Sequence, residues 1–146
     1  MRSLSQRRQS KVGFLQEFLA GIPSQMMNHG VWKLYFDGSA NRNGAGAGIL
    51  IEVPNGEVTT MCKRLLFPVT KNMAEYEACI MGIESLLATS SKEVEVIGDS
   101  LLVIEHASER RKVEEYRLKP YIEYLLKKAA AALFDKITFT HISRNS

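Results

Sequence analysis

The sequence predicts an α/β fold, a mixed five-stranded sheet flanked by helices, in which the first three strands form an antiparallel meander. Three segments between residues 31 and 67 have strand periodicity, and turn residues separate them. Helix-like segments then alternate with two short strands over the rest of the chain. The resulting order, β-β-β-α-β-α-α-β, requires right-handed crossover connections to bring the later strands into the same sheet.

The meander is predicted from alternation and from turn chemistry. Its strands are expected at residues 31–37, 45–53 and 58–67. In the first strand, Trp32, Leu34 and Phe36 alternate with polar or amphipathic residues. Asn55-Gly56 between the second and third strands is a strong hairpin signal, and Pro68 ends the third strand. We therefore expect three consecutive antiparallel strands.

The second half predicts the layers that cover the sheet. Helices are expected at residues 72–88, 100–107 and 118–133, and strands at 93–97 and 136–141. Apolar residues at helical spacing favour the first helix, with Glu77 pointing away as a solvated acid. Pro120 fits a helix only in its first turn. In the last strand, Ile137 and Phe139 are expected to point inward.

Composition describes one ordinary globular domain. The chain has 146 residues, 45% of them hydrophobic and 24% charged, and no apolar run has the length of about 18 residues that a membrane span needs. Cys62 and Cys79 are expected as core thiols without a disulfide, which suits a reducing cytoplasmic or nuclear compartment. The predicted domain is residues 31–146.

Residues 1–30 are expected to form a basic, partly flexible leader or a connector remnant. Four of the 19 basic residues precede the first acid, Glu17, which leaves the rest of the chain close to neutral despite a net charge of +3. Net charge alone therefore gives the domain no nucleic-acid signature. The Arg/Ser-rich start leaves organelle targeting by residues 1–22 open as an alternative.

Three carboxylates stand near the ends of predicted elements. Asp37 ends the first strand, Asp99 follows the fourth, and Glu75 lies in the first turn of the helix predicted from Asn72. Acids so placed can meet at one sheet edge, where a divalent cation relieves their repulsion; carboxylate oxygens suit Mg²⁺ better than zinc. Two structural alternatives stay open: a capping box formed by Asn72 and Glu75, and an N-cap role for Asp99.

Four motifs together are far more specific than any one alone. They are Tyr35-Phe36-Asp37-Gly38-Ser39, the alternating glycines of residues 44–48, Thr70 to Ala78, and Gly98-Asp99-Ser100. In order and spacing they resemble type 1 ribonuclease H over about residues 12–146. The amino-acid sequence of these motifs is most similar to the ribonuclease H domain of plant gypsy-type LTR retrotransposon polyproteins.

The resemblance implies a hydrolase that cuts the RNA strand of an RNA–DNA hybrid endonucleolytically. It implies that Asp37 bridges two Mg²⁺ ions, for which Mn²⁺ can substitute, and that Glu75 and Asp99 complete the metal ligands. His141 matches a mobile-loop histidine that helps the product leave, and it completes the implied catalytic set. The implied nucleic-acid-binding residues are Gly38, Ser39, Asn43, Lys71, Asn72 and Ser100.

Two of those implied contacts carry a specific expectation. Gly38 and Ser39 are expected to let a phosphodiester backbone approach closely, because both residues are small. Lys71 replaces an asparagine that is usual in the family. Since an ammonium group replaces an amide, we expect this position to attract phosphate but not to recognise a base edge or a sugar.

The family also has a fourth catalytic aspartate on a final helix, and counting from His141 places it five residues beyond Ser146. The expectation is therefore a ribonuclease H-like domain truncated at its C-terminus, without the final helix. The alternative functions are a catalytically impaired, hybrid-binding remnant of a retrotransposon polyprotein and a protein-interaction scaffold. Expected partners are an RNA–DNA hybrid and an upstream reverse transcriptase in the parent polyprotein, with no membrane and a monomeric state.

Overall fold

The computed structural model of the protein describes residues 30–143, so nearly all of the predicted leader lies outside the described residues. The strands are β1 (Val31–Asn41), β2 (Gly44–Glu52), β3 (Val58–Leu65), β4 (Glu93–Gly98) and β5 (Lys136–His141). The helices are α1 (Lys71–Ser85), α2 (Leu101–Ala107) and α3 (Lys119–Ala131), with a 3₁₀ turn at Tyr116–Leu118. The strand order is β3-β2-β1-β4-β5, with antiparallel β1–β2 and β2–β3 pairs and parallel β1–β4 and β4–β5 pairs. The predicted mixed sheet is confirmed.

The meander forms as its alternation predicts. Trp32 and Leu34 are completely buried on one face of β1, while their odd-numbered neighbours remain partly or fully accessible. Between β2 and β3 the chain turns at residues 54–56, where the Val53 amide donates to the Glu57 carbonyl at 2.9 Å. Gly56 has φ +94°, which a residue with a side chain rarely adopts, so the predicted glycine is needed at this position.

Helix α1 is the central helix, and it packs against both β1 and β2. Every residue from Ala74 to Ser85 is buried, including Glu77 with 1% of its surface exposed. The expectation that Glu77 is a solvated acid is therefore wrong. A helix that is covered on all sides does not show the one-sided polar stripe that the prediction assumed. No helix in the described part of the chain is long and apolar enough to cross a bilayer.

Several boundaries differ from the prediction. Helix α1 begins at Lys71 because the Thr70 hydroxyl caps it, accepting the Met73 amide at 3.2 Å, and it ends at Ser85 instead of residue 88. Pro120 does lie in the first turn of α3, as predicted. Cys79 is buried and no disulfide forms, but Cys62 is exposed on β3. The core assignment of Cys62 is wrong because its side chain lies on the uncovered face of the sheet.

Candidate metal centre

Asp37 lies within β1 and does not end it. The strand continues to Asn41, because its antiparallel pairing with β2 continues through Asn41 and Gly44. Its parallel pairing with β4, however, stops at Phe36 and Gly98. Asp37 is therefore the first β1 residue beyond the end of β4, just as Asp99 is the first residue after β4. The prediction that Asp37 ends β1 is therefore wrong. Asp37 does lie where the pairing of β1 with β4 ends.

Glu75 reaches the same edge from helix α1. It lies five residues after the Thr70 cap, in the second turn, so its predicted place in the first turn is wrong and the alternative capping box with Asn72 does not form. The backbone amide of Gly38 donates a hydrogen bond to Glu75 Oε1. A Cβ atom at Gly38 would lie 2.2 Å from the Ala74 carbonyl carbon, so only glycine allows β1 and α1 to come this close. Gly38 thus faces the helix, and its expected contact with a phosphodiester stays a prediction.

Asp99 enters from the turn between β4 and α2. The residue that caps α2 is Ser100, whose hydroxyl accepts the Val103 amide at 3.3 Å. The alternative in which Asp99 caps this helix is therefore wrong. Ser100, predicted as a nucleic-acid contact, has its side chain engaged in the cap. Thr70 and Ser100 therefore provide the helix caps that were the structural alternatives to metal binding for Glu75 and Asp99.

The three carboxylates converge. Asp37, Glu75 and Asp99 each offer an oxygen within 4.8 Å of the others. Oxygens that share one Mg²⁺ or Ca²⁺ ion lie about 2.0–2.6 Å from it, which gives separations on this scale. Three oxygen donors without thiol or imidazole fit a hard divalent cation. The donor set therefore fits the predicted metal, while the roles of these residues as metal ligands remain a prediction.

Burial makes the cluster electrostatically unfavourable for the metal-free protein. Glu75 is 2% exposed, whereas Asp99 is partly exposed and Asp37 is exposed. Loss of solvent raises the pKa of Glu75 from its ordinary 4.5 to about 7. The Gly38 amide opposes that rise in the pKa, Asp99 and Asp37 add to it, and Lys71 lowers it slightly. A cation bound among these oxygens would favour the ionised form.

A groove of about 570 Å³ extends from Asp37 across the uncovered face of the meander. Its floor is β2, where Gly48 and Gly46 leave the space between the outer strands open. Asp37 pairs with Gly48, and Ser39 pairs with Gly46, which in turn pairs with Arg64 of β3. Ser39 and Asn43, both predicted contacts, line this groove.

Arg64 was not among the predicted nucleic-acid contacts. The signal was available, because counting the hairpin register back from residues 53–57 places Arg64 opposite Gly46. Strand alternation then puts its side chain on the uncovered face. Arg64 supplies the groove with a cation that can contact a phosphate.

The remaining predicted residues lie elsewhere. Lys71 is exposed and lines a second groove with Arg64, while Asn72 lines a third with His106 and Arg111. His141 is exposed at the end of β5, where it pairs with Gly98, the residue before Asp99. It is not part of the carboxylate cluster. Their functional roles remain predictions.

Comparisons with known proteins agree with this geometry. A family model described as "Reverse transcriptase-like" matches residues 35–146. The bifunctional protein Rv2228c of Mycobacterium tuberculosis is 29% identical over 111 residues, which are 74% of this chain and 30% of that protein. The chain thus spans less than a third of the length of that curated relative.

Solved structures show the same fold. The N-terminal ribonuclease H domain of Rv2228c, solved as a fusion with maltose-binding protein, has a TM-score of 0.71 at 25% identity over 79% of this chain and 84% of that one. The ribonuclease H1 LC11, isolated from compost and solved in complex with an RNA/DNA hybrid, has a TM-score of 0.70 at 29% identity over 78% and 86%. The chain therefore belongs to the reverse transcriptase-like family and has the ribonuclease H fold.

Proposed function

We propose that this protein is a metal-dependent ribonuclease that cleaves the RNA strand of an RNA–DNA hybrid. The observation that carries the proposal is the convergence of Asp37, Glu75 and Asp99 from three separate elements. Structural needs alone do not account for it, because placing two further acids beside the buried Glu75 raises the free energy of the fold. Membership of the family adds weight, since a similar ribonuclease H1 was solved with an RNA/DNA hybrid.

In this proposal the carboxylates of Asp37, Glu75 and Asp99 would together hold the two Mg²⁺ ions. When bound, such ions lower the pKa of an attacking water and stabilise the leaving oxygen. The protein's own part is positional. Gly38 orients the Glu75 carboxylate through its amide, and Asp37 and Asp99 both lie where the pairing of β1 with β4 stops.

The groove beside Asp37 is the proposed seat of the hybrid. Its glycine floor lets a sugar-phosphate backbone approach β2, and Arg64 supplies positive charge for phosphates. Ser39 and Asn43 offer polar groups beside the cluster, where they can contact the 2′-hydroxyls that distinguish RNA from DNA. His141 is proposed to help product leave. We also propose that the protein derives from a retrotransposon polyprotein with an upstream reverse transcriptase. This part of the proposal rests on the sequences of the motifs alone.

Cleavage of a defined hybrid tests the proposal. An end-labelled RNA annealed to DNA is incubated with the protein in Mg²⁺ and, separately, in Mn²⁺, beside duplex RNA, duplex DNA and single-stranded RNA of the same sequence. We expect internal cuts in the RNA of the hybrid alone, abolished by chelator and by Asp37→Asn. Hybrid binding without cleavage in either metal would favour the catalytically impaired remnant. Equal cleavage of duplex RNA would also contradict the proposal.

A further inference from the structure

A buried hydrogen bond joins the two helices that neighbour the carboxylate cluster. The Tyr76 hydroxyl and His106 Nδ1 lie 2.5 Å apart, with Tyr76 fully buried and His106 4% exposed. Tyr76 directly follows Glu75 on α1. His106 is on α2, the helix whose first residue lies two positions after Asp99. The bond therefore connects the helical segments that carry or follow two of the three acids.

The same tyrosine also contacts the third helix. Its ring stacks on the His106 ring, with centroids 6.1 Å apart and planes inclined by 19°. On α3, the Tyr121 ring stacks on Tyr76 at 5.7 Å and 25°. Three rings thus cross from α3 through α1 to α2. Removing only the Tyr76 hydroxyl leaves these ring contacts in place while it breaks the bond to α2.

Helix α2 is short and begins beside the carboxylate cluster. It has only seven residues, and its start is tied to Asp99, which faces two other acids. Before a cation binds, repulsion among these carboxylates pushes Asp99, and the helix behind it, away from Glu75. A hydrogen bond between Tyr76 and His106 opposes that separation, and burial strengthens it because water does not compete for either group.

We propose that the Tyr76–His106 hydrogen bond is a positioning device that keeps Asp99 within cation-sharing distance of Glu75. The inference rests on the proposed function, because it assigns these residues a role in the same metal site. Neither side chain is proposed to touch the metal or the substrate. Their effect passes through the relative placement of α1 and α2.

The charge states of Tyr76 and His106 suit a hydrogen bond that persists near neutral pH. Burial raises the pKa of the Tyr76 phenol, and a smaller effect of Cys79 adds to the rise. Burial also lowers the pKa of His106; Arg111 lowers it further, and Glu105 opposes. Both groups are therefore neutral near pH 7. Replacing them with neutral residues changes the hydrogen bond without changing the charge around the carboxylates.

The chain offers a matched control for general stability. Near the other end of α1, the Tyr124 hydroxyl donates to Glu84 Oε2 at 2.6 Å and so links α1 to α3. Tyr124→Phe also removes a phenolic hydroxyl that forms a hydrogen bond between two helices. This bond lies near the end of α1 that is away from the carboxylate cluster. If Tyr76→Phe acts only by loosening the fold, the two variants should affect the metal site alike.

Mn²⁺ binding to the full chain without nucleic acid, followed by electron paramagnetic resonance and calorimetry, tests the inference. We expect Tyr76→Phe to raise the Kd for Mn²⁺ by about tenfold, the lower end of the effect of removing a hydrogen-bond partner of a metal ligand, because Tyr76 acts on the ligands only through the two helices. His106→Leu should do the same. His106→Asn, which keeps a polar atom in the position of Nδ1, should restore binding, and Tyr124→Phe should bind like the wild type.

Hybrid cleavage gives an independent readout. For Tyr76→Phe, the Mg²⁺ concentration for half-maximal rate should rise while the KM for hybrid stays unchanged. Unaltered Mn²⁺ affinity in Tyr76→Phe, or an equal loss in Tyr124→Phe, would overturn the positioning role and leave the proposed function intact. A wild-type chain that neither binds Mn²⁺ nor cleaves hybrid would instead overturn both proposals.

Discussion

Helix α1 carries buried glutamates near both ends, and their surroundings differ. Glu84 is 7% exposed and accepts a 2.6 Å hydrogen bond from Tyr124 of α3. Glu75 is 2% exposed and faces Asp37 and Asp99, with its pKa raised to about 7. Glu84 is thus held by a neutral donor and contributes to helix packing. Glu75 destabilises the metal-free protein when ionised, which is the cost expected of a residue placed for the proposed metal site.

Replacing Glu75 or Glu84 with glutamine should have very different effects on the rate of hybrid cleavage. Glu75→Gln removes a charged ligand from the cluster, so hybrid cleavage should fall by at least about 100-fold, since even residues outside a metal's ligand set contribute 10–100-fold. Glu84→Gln keeps an acceptor for Tyr124 and should leave the rate close to that of the wild type, because Glu84 lies near the end of α1 away from the carboxylate cluster. Single-turnover cleavage of a labelled hybrid in Mg²⁺ measures both. Equal losses in the two variants would remove the distinction.

The glycines that face α1, or lie in it, give a second contrast. Gly38→Ala places a Cβ 2.2 Å from backbone at Ala74, whereas Gly82→Ala meets the movable Leu34 side chain at 2.4 Å. We expect Gly38→Ala to lower the free energy of unfolding by about 3 kcal/mol and Gly82→Ala by about 1 kcal/mol, because overpacking against fixed backbone is harder to relieve and alanine favours a helix. Urea denaturation measures both.

Metal binding should follow the same contrast. Gly38→Ala also moves the amide that orients Glu75, so it should weaken Mn²⁺ affinity at temperatures where the variant is folded. Gly82→Ala should not. If Gly82→Ala weakened Mn²⁺ binding as much, the strand–helix contact at Gly38 would have no special relation to the cluster.

The metal-free protein should lose stability as pH rises from 5 to 8, in part through Glu75. Its folded-state pKa of about 7 exceeds the unfolded 4.5, so its contribution is fully present below pH 4.5 and is lost as pH rises through 7. Relative to the wild type, Glu75→Gln should therefore gain about 2 kcal/mol between pH 5 and pH 8. Urea denaturation in chelator at both pH values tests it. A constant difference would contradict a raised Glu75 pKa.

Much of this fold could be predicted from sequence because its signals are local. Strand alternation at Trp32 and Leu34, and the turn before β3, depend on neighbours in the chain. The first strand was nevertheless given too short, because its continuation past Asp37 depends on pairing with β2. Glu77 and Cys62 were misplaced for a related reason: their burial depends on what covers α1 and β3, and that information is not local.

The convergence of the three acids at one sheet edge was predictable from sequence, but the local contacts around them were not. Capping rules allowed structural roles for Glu75 and Asp99, and the cap residues turned out to be Thr70 and Ser100. Sequence spacing offered no way to choose. Gly38 was expected to face nucleic acid, and the strand–helix contact that buries it appears only when the elements are packed together.

The most direct test of the shared-cation account is anomalous diffraction from crystals soaked in Mn²⁺, with the wild type and Asp37→Asn side by side. The account predicts a manganese peak in the wild type within about 2.0–2.6 Å of oxygens from Asp37, Glu75 and Asp99, and a weakened or absent peak in the variant. Manganese found only at other positions, in crystals of a protein that cleaves hybrid, would contradict it.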